Sequence, residues 1–423
     1  MNKYDLVIAG GGTSGCACAY IAGKLGLKVL LVEKNSFLGG SITSSLVIPA
    51  MKTADNSINN DFFNMLYDEL HKLNGASTYS DGNKGWFNPE LAKIVLDNLL
   101  SQVHVDILFE SEIKNIVNKL SSYIVTIDDD NICVYDDKEL SSSIETKFLV
   151  DATGDAKICE KLNYQFLDDN ELKTQPTNLR FIMSGVNVEK FSSWLMEYDT
   201  NRDVTSCCNT DNVTLLSTAY TWDSNIDWAL RPLFKQGIDD GIITEEDSNY
   251  FQIFSVAGTH DSVAFNCPRI LDTELSRSEA YIKARESILR LSMFCKKYFI
   301  GFENAYISSI ANSLGVRVSR RVKGKYIYTK NDLISGKKFE NPVLISNYPI
   351  DIHSKDKNGS TLKKVYQEYQ LPIESLIVDE RLFVIGRCIS AEFEAQGALR
   401  IIPSCFSMGE GLAKYLYNKI KNV

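Results

Sequence analysis

The first part of the chain alternates short apolar runs with segments of helical spacing. Residues 4–9 and 28–32 are compact apolar runs, and residues 16–25 between them have the composition of a helix. Further on, residues 88–100 repeat apolar positions at helical spacing, and residues 103–109 alternate as a strand does. Strands that alternate with helices are typical of an α/β fold built on a parallel sheet.

The pattern changes beyond this point. Residues 123–127, residues 132–135 and the run that ends at Asp151 predict short strands around an Asp-rich turn, as in a β-meander. From residue 177 to about 310 the periodicity is poorer and aromatic residues are frequent, although a long helix is predicted over 272–298. We therefore predict that residues 1–160 and 326–423 form one domain, and that residues 161–325 form an inserted α+β domain.

Composition and charge limit the partners. Of 423 residues, 44% are hydrophobic and 23% are charged, and the formal net charge is −9, which opposes binding to nucleic acids. No apolar run reaches the roughly 18 residues of a membrane helix, and a strand is predicted so early that no signal peptide precedes it. The ten cysteines include no C-x-x-C pair, so we expect neither a metal site nor a disulfide framework. These features predict a cytoplasmic protein without nucleic-acid or membrane partners.

The three glycines after the first apolar run have the spacing of a phosphate-binding turn. Gly10, Gly12 and Gly15 occupy the G-x-G-x-x-G positions between a predicted strand and a predicted helix. The first allows the tight turn, the second lets a diphosphate approach the backbone, and the third lets the helix pack closely on the strand. Glu33 ends the second strand 18 residues beyond Gly15, close to the roughly 20 expected for an acid that binds a ribose diol. The first 33 residues therefore predict a dinucleotide site.

Three further blocks make the sequence recognisable. They are EKNSFLGGS at residues 33–41, FLVDATGD at 148–155, and GRCIS at 386–390 followed by EAQGALRIIP at 394–403. In these blocks the chain resembles the FAD-dependent oxidoreductase family related to fumarate-reductase-like and glucose-inhibited-division-type flavoproteins. The resemblance spans most of the chain and is thin from about 190 to 310. Many relatives have His where this sequence has Phe393, so a role of that His is not carried over.

The resemblance implies a Rossmann-type FAD-binding domain with a parallel sheet and a β-meander, plus an α+β substrate (cap) domain. It also implies which residues bind the cofactor, FAD. They are Gly10, Gly12, Thr13, Ser14 and Gly15, then Glu33, Lys34, Gly39, Gly40 and Ser41, then Ile113, then Ala152, Thr153, Gly154 and Asp155, and finally Gly386, Arg387, Gln396, Gly397 and Arg400.

Candidates for catalysis are an acid or base and a clamp for an anion, since in flavoenzymes the cofactor itself carries the redox chemistry. His353 follows Asp351 by two residues, so the carboxylate is able to orient the ring. Arg180 lies at the entry to the predicted cap, and Arg317, Arg320 and Arg321 lie at its exit, where they suit a carboxylate clamp. Arg387 lies in the last FAD block. Charge pairing at the surface is the competing interpretation for each arginine.

The sequence thus predicts an FAD-dependent oxidoreductase that exchanges a hydride between flavin N5 and a small polar substrate that bears a carboxylate. Only one nucleotide fingerprint is present, so an external electron donor or acceptor is expected. Two alternatives remain open: an FAD-dependent oxidase or monooxygenase, and a flavoprotein whose FAD is structural and whose cap binds a macromolecule. The substrate and the oligomeric state are not predicted.

Overall fold

A computed structural model describes residues 2–127, 143–167, 175–210, 213–220, 228–272, 274–353 and 360–421. The strand predicted over 132–135 lies outside these residues. The helices are α1 Thr13–Lys24, α2 Asp61–Lys72, α3 Pro89–Gln102, α4 Lys157–Lys161, α5 Val188–Tyr198, α6 Arg231–Asp239, α7 Arg277–Tyr298, α8 Lys330–Ser335, α9 Phe393–Leu399 and α10 Ile402–Lys421. The strands are β1 Asn2–Ala9, β2 Val29–Val32, β3 Ala76–Ser77, β4 Trp86–Phe87, β5 Asp106–Leu108, β6 Ile113–Asn118, β7 Tyr123–Ile127, β8 Ser143–Asp151, β9 Thr177–Asn178, β10 Phe181–Ser184, β11 Thr205–Thr210, β12 Val213–Tyr220, β13 Phe251–Ser255, β14 Val263–Phe265, β15 Arg269–Ile270, β16 Tyr306–Ile310, β17 Pro342–Ser346, β18 Ile350–His353, β19 Ser360–Lys363, β20 Tyr369–Pro372 and β21 Leu382–Val384.

The first sheet has a parallel core and an antiparallel extension. Its strand order is β5-β2-β1-β8-β7-β6, with β21 paired to β8. Strand β8 divides the two parts: its first half pairs antiparallel with β7, and its second half pairs parallel with β21. All four residues of β2 are apolar and buried, as expected where helices cover both faces of a parallel sheet. This sheet confirms the predicted Rossmann-type fold, and its antiparallel extension consists of β6, β7 and β8, of which β6 was not predicted as a strand.

Helices α1 and α10 pack against each other next to this sheet. Gly409 lies at the crossing, where a β-carbon would lie 2.1 Å from the Ser14 carbonyl oxygen. Only a glycine allows the two backbones to come this close. Helices that are far apart in the sequence, one near each end of the described chain, therefore meet beside the glycine turn.

The second sheet is antiparallel, with strand order β11-β12-β13-β14-β10-β16. The two faces of this sheet have different neighbours, as the side chains of β13 show. Successive side chains of a strand point to opposite faces of the sheet. Phe251 packs against Phe234 and Phe299, which belong to the aromatic core shared with α6 and the end of α7. Gln252 and Phe254, which alternate with it, line a cavity. The sheet with its helices confirms the predicted α+β part, while the boundaries at residues 160 and 325 stay a prediction.

Three predicted elements differ at their ends from those observed. Helix α1 begins at Thr13 and not at residue 16, because the third glycine of the turn is already helical. Strand β5 has three residues and not seven, since α3 continues to Gln102 and His104 turns the chain with a left-handed φ of 55°. Helix α7 begins at Arg277 and not at residue 272, because Ser276 and Glu279 form a capping box.

The loop after β8 is held by one buried carboxylate. Asp151 Oδ1 accepts hydrogen bonds from the Thr153 backbone N–H at 3.1 Å and hydroxyl at 2.7 Å, and Oδ2 accepts from the N–H groups of Ile158 and Cys159. Each oxygen thus has two donors in the loop or at the start of α4. The carboxylate therefore fixes residues 152–155, which the sequence assigns to the cofactor site.

We expect Asp151→Asn to lower the free energy of unfolding by about 3 kcal/mol, because the amide NH₂ would face N–H donors in place of an oxygen. The measurement is urea unfolding followed by circular dichroism. Asp68→Asn, at an exposed position of α2, is the control and should change the free energy by less than about 0.5 kcal/mol. A loss of similar size in both variants would contradict the assigned role of Asp151.

No helix within the described ranges is both long enough and apolar enough to cross a lipid bilayer.

Candidate functional site

A cavity of about 800 Å³ lies where the carboxyl ends of β1, β2, β8 and β21 meet the second sheet. Its volume falls in the upper part of the range, roughly 300–1,000 Å³, of cofactor and ligand sites. One end is lined by the glycine turn and by the loops after β2 and β8, and the other by residues of β13, β18 and the first turn of α10. The crevice at the carboxyl ends of parallel strands is where such folds bind nucleotides.

The glycine turn leaves an open helix N-terminus at the cavity. Gly10 has a φ of 105°, which an L-residue rarely adopts, and α1 begins three residues later, at Thr13, with no side chain capping it. Gly39 donates a hydrogen bond to the Gly11 carbonyl oxygen at 2.8 Å, so the second glycine pair lies against the first turn. Free N–H groups and the helix dipole favour an anion here. The turn therefore fits a diphosphate.

A second helix N-terminus reaches the other end of the cavity. Ile402 and Cys405, in the first turn of α10, line the cavity together with Gly386, whose φ is 88°. Burial raises the pKa of the Cys405 thiol, so this side chain stays a neutral thiol. The positive end of α10 is therefore available to a ligand that carries negative charge.

Most of the predicted residues line the same cavity although they come from seven separate segments. The glutamate at the end of β2 is among them, and its Oε2 accepts from the Gly11 N–H at 2.6 Å. The predicted residues that line the cavity are Gly10, Gly12, Thr13, Ser14, Glu33, Lys34, Gly40, Ser41, Ile113, Ala152, Thr153, Gly154, Asp155, Arg180, His353, Gly386, Arg387 and Arg400.

Four predicted cofactor residues shape the cavity without lining it. A β-carbon on Gly15 would lie 1.9 Å from the Gly10 carbonyl oxygen, and one on Gly397 would lie 3.0 Å from the Asp351 carbonyl oxygen. Gln396 donates through Nε2 to backbone carbonyls of Arg317 and Arg387, and it is fully buried. Gly39, the fourth, makes the backbone contact already described. In the structure these four residues pack against the backbone around the cavity and do not line it.

The structure corrects the prediction for Arg320. Its guanidinium pairs with Glu160 at 2.5 Å, its side chain is 42% exposed, and it is not among the residues that line the cavity. The sequence could not separate it from Arg317, three residues earlier, which does line the cavity. Gly315, Val316 and Arg317 reach the cavity, whereas Arg320 lies beside α4.

Two buried arginines face the cavity without a carboxylate. Arg180 donates to the carbonyl oxygens of Leu46 and Ile48 at 3.3 and 3.2 Å, and Arg317 donates to that of Pro176 at 2.8 Å. Neither forms an ion pair with a carboxylate of the described residues. Burial lowers the pKa of Arg180 to about 10 and that of Arg317 to about 9. Asp351 offsets only part of the burial of Arg317, and Arg180 has no ion pair within the described ranges, so an anion in the cavity would stabilise both cations.

Two further arginines of the cavity are paired. Arg387 Nη2 lies 2.8 Å from Asp155 Oδ1, and Arg400 Nη2 lies 3.0 Å from Asp351 Oδ2. The buried Nε atoms of Arg180, Arg387 and Arg400 nevertheless have no hydrogen-bond partner. Buried donors of this kind are rare unless a ligand or water satisfies them. They are a second sign that a polar ligand belongs in the cavity.

The hydrogen bonds of His353 do not favour its predicted role as acid or base. Arg269 Nη2 lies 2.7 Å from His353 Nδ1. Because a guanidinium only donates, Nδ1 accepts, and the ring proton is on Nε2, which faces Asp351 Oδ1 at 3.3 Å. Both ring nitrogens therefore have partners in the chain. The geometry gives His353 the task of positioning Asp351.

The pKa of His353 lies well below its usual value, because burial disfavours the cation and Arg317 repels it, which together outweigh Asp351. The unfolded chain takes up this proton near pH 6.5, so below that pH the unfolded state binds more protons and the free energy of unfolding falls. Between pH 8 and pH 5.5 we expect the free energy of unfolding to fall by about 1.4 kcal/mol less in His353→Gln than in the wild type. Urea unfolding at both pH values measures it, with the exposed His260→Gln as comparison. Equal losses in wild type and His353→Gln would contradict the assignment.

The polar floor of the cavity was missed by the sequence analysis. Asn266 Nδ2 donates to Tyr250 Oη at 2.9 Å and to Gln252 Oε1 at 2.6 Å, and Asn178 donates to Asn266. All four residues line the cavity. They are single polar residues in or beside short strands, and no motif marks them. Only the alternation of β13, with Gln252 between the buried Phe251 and Ile253, gave a signal.

The fold and the cavity define a dinucleotide-binding protein of the Rossmann class, in which a glycine turn after the first strand opens onto the N-terminus of α1. The chain belongs to the FAD-dependent oxidoreductase family: residues 5–417 match the family described as "FAD dependent oxidoreductase". It is therefore an FAD-dependent enzyme. The open helix N-termini, the unpartnered arginine donors and the cavity volume all fit FAD.

A curated relative and several solved structures are similar to parts or all of the chain. Over 76 residues the chain is 33% identical to the mitochondrial glycerol-3-phosphate dehydrogenase of Rattus norvegicus. The matched segment is 17% of this chain and 10% of the relative's length. The p-nitrophenol 4-monooxygenase of Pseudomonas putida DLL-E4 matches with a TM-score of 0.47 and 12% identity, covering 100% of this chain and 82% of the other. The halogenase PltM matches with a TM-score of 0.49 and 9% identity, covering 99% and 70%.

Proposed function

We propose that this enzyme transfers two electrons between FAD and a small molecule that carries a carboxylate or a comparable anionic group. The observation that supports the proposal is the pair Arg180 and Arg317, two buried cations that line the cavity and have no carboxylate partner in the described chain. An unpaired buried charge is costly, and it persists where a ligand compensates it. A bound anion would stabilise both arginines.

The chain offers a separate region for the cofactor. When bound, FAD supplies the hydride chemistry, and the protein supplies binding, orientation and proton transfer. The turn from Gly10 to Ser14 would hold the diphosphate, Glu33 would accept from a ribose hydroxyl, and the N-terminal turn of α10 would face the flavin end. Arg180 and Arg317 would then bind the substrate. An external electron donor or acceptor would complete the turnover.

Tyr348, which lines the cavity, is our candidate proton donor. Burial and then the charge of Asp351 raise the pKa of its phenol, so the hydroxyl is protonated at neutral pH. Burial acts to raise the pKa of Asp351 as well, but His353 and Arg400 hold it below its usual range, so this carboxylate stays ionised. In the direction of substrate reduction, a hydride and the Tyr348 proton would together complete the reduced product.

The test is an anaerobic screen in which flavin absorbance reports electron transfer. Hydroxy acids are added to the oxidised enzyme, and keto or unsaturated acids to the dithionite-reduced enzyme, each beside its neutral amide. We expect an acid to change the absorbance at least about 30-fold faster than its amide, since buried charge pairs contribute roughly 2–5 kcal/mol. Equal rates for acid and amide throughout the screen would overturn the proposal. In a parallel aerobic assay, oxygen consumption coupled to substrate loss would instead identify an oxidase or monooxygenase.

A further inference from the structure

The cavity has an apolar opening. Met51 and Leu362 both line it, and each is 41% exposed to solvent. Val47, Pro49 and Phe254 line the wall as well, and Phe254 is only 7% exposed. Large apolar side chains at the rim of a cavity gain free energy when a ligand covers them.

The backbone segments that carry the apolar residues of the opening also contact or carry charged residues of the cavity. Arg180 donates to the carbonyl oxygens of Leu46 and Ile48, in the same segment that ends at Met51. On the other side, Leu362 of β19 lies directly opposite Asp351 of β18 in an antiparallel pair. Residues opposite each other in such a pair point to the same face, and both line the cavity. Leu362 therefore has Asp351 as its cross-strand neighbour, and Met51 follows by three residues the Ile48 carbonyl that Arg180 contacts.

We propose that the substrate is an amphiphilic anion, whose charged group lies at Arg180 and Arg317 and whose apolar part lies between Met51 and Leu362. The proposal rests on the proposed function, because it describes what surrounds the same two arginines. A short hydrophilic acid would satisfy the arginines and leave both rim side chains in water. An alkyl or aryl group attached to the acid would cover them.

The experiment measures binding and needs no turnover. The dissociation constants of acetate, butanoate and hexanoate for the FAD-loaded enzyme are determined by calorimetry, with 1-hexanol as the uncharged comparison. We expect the dissociation constant to fall roughly fourfold for each methylene that becomes buried. Hexanol should bind far more weakly than hexanoate.

Substitutions at the rim then locate the apolar part. Met51→Ser and Leu362→Ser should each weaken hexanoate binding several-fold and leave acetate binding unchanged. Met293→Ser is the matched control, since Met293 is 48% exposed and lies on α7 away from the cavity lining. It should bind all three carboxylates as the wild type does.

The outcomes separate this inference from the proposed function. If acetate binds as tightly as hexanoate and Arg317→Met abolishes both, the anion site stands and the apolar part is overturned. If hexanoate keeps its advantage in both rim variants, the assigned opening is wrong. If the carboxylates do not bind, or bind Arg317→Met as well as wild type, the anion site itself fails and the inference fails with it.

Discussion

Gly12→Ala is expected to give a folded protein that binds FAD about 10- to 100-fold more weakly. A β-carbon at Gly12 would meet no protein atom closer than 3.9 Å, and its φ of −77° suits any residue. The added methyl would instead project beside the open turn where the diphosphate is expected, and overpacking of this kind costs roughly 1–3 kcal/mol. The flavin content as isolated and a titration with FAD measure the effect.

Gly15→Ala is the informative comparison for this prediction. There the β-carbon would lie 1.9 Å from the Gly10 carbonyl oxygen, so the backbone itself must move. We expect this variant to lose stability in urea, whereas Gly12→Ala keeps the unfolding midpoint of the cofactor-free wild type. If Gly12→Ala bound FAD as tightly as the wild type, the diphosphate would not lie at this turn.

Arg317→Met is expected to lower kcat/KM for an anionic substrate between about 30-fold and several-thousand-fold, while FAD content and absorbance stay unchanged. Loss of one partner from a buried charge pair costs roughly 2–5 kcal/mol, and Arg317 forms no ion pair with a carboxylate of the described residues. The preference for an acid over its amide should shrink by the same factor. Steady-state kinetics on the substrate found in the anaerobic screen make the measurement.

The stability of Arg317→Met tests whether the buried charge of Arg317 is unfavourable in the protein without substrate. Because burial and neighbouring arginines lower the pKa of Arg317 to about 9, its charge is unfavourable in the free protein. We expect Arg317→Met to be at least as stable in urea as the wild type without substrate. Arg320→Met is the matched control, since Arg320 does not line the cavity and its guanidinium pairs with Glu160, and its kcat/KM should stay within about twofold. A large loss of activity in Arg320→Met would restore the original prediction for that residue.

The sequence alone determined the cofactor half of this protein. Glycine spacing, the acid 18 residues later and the apolar strands are local features: a strand, a turn and a helix N-terminus lie next to one another in the chain, so their order fixes their geometry. Gly10, Gly12 and Glu33 could therefore be assigned from the sequence. The family resemblance extended the assignment to the loop after β8 and to the last block.

Only the tertiary structure decided the other half of the cavity. Arg180, Arg317 and Asp351 come from distant segments, and whether an arginine faces a cavity or a surface carboxylate depends on packing that no local pattern records. The difference between Arg317 and Arg320 shows this, since three residues separate a buried unpaired cation from a half-exposed ion pair. The same holds for His353, whose ring nitrogens are occupied by groups on two different segments. Charge in the substrate half is set by contacts between remote parts of the chain, and these exist only once the chain has folded.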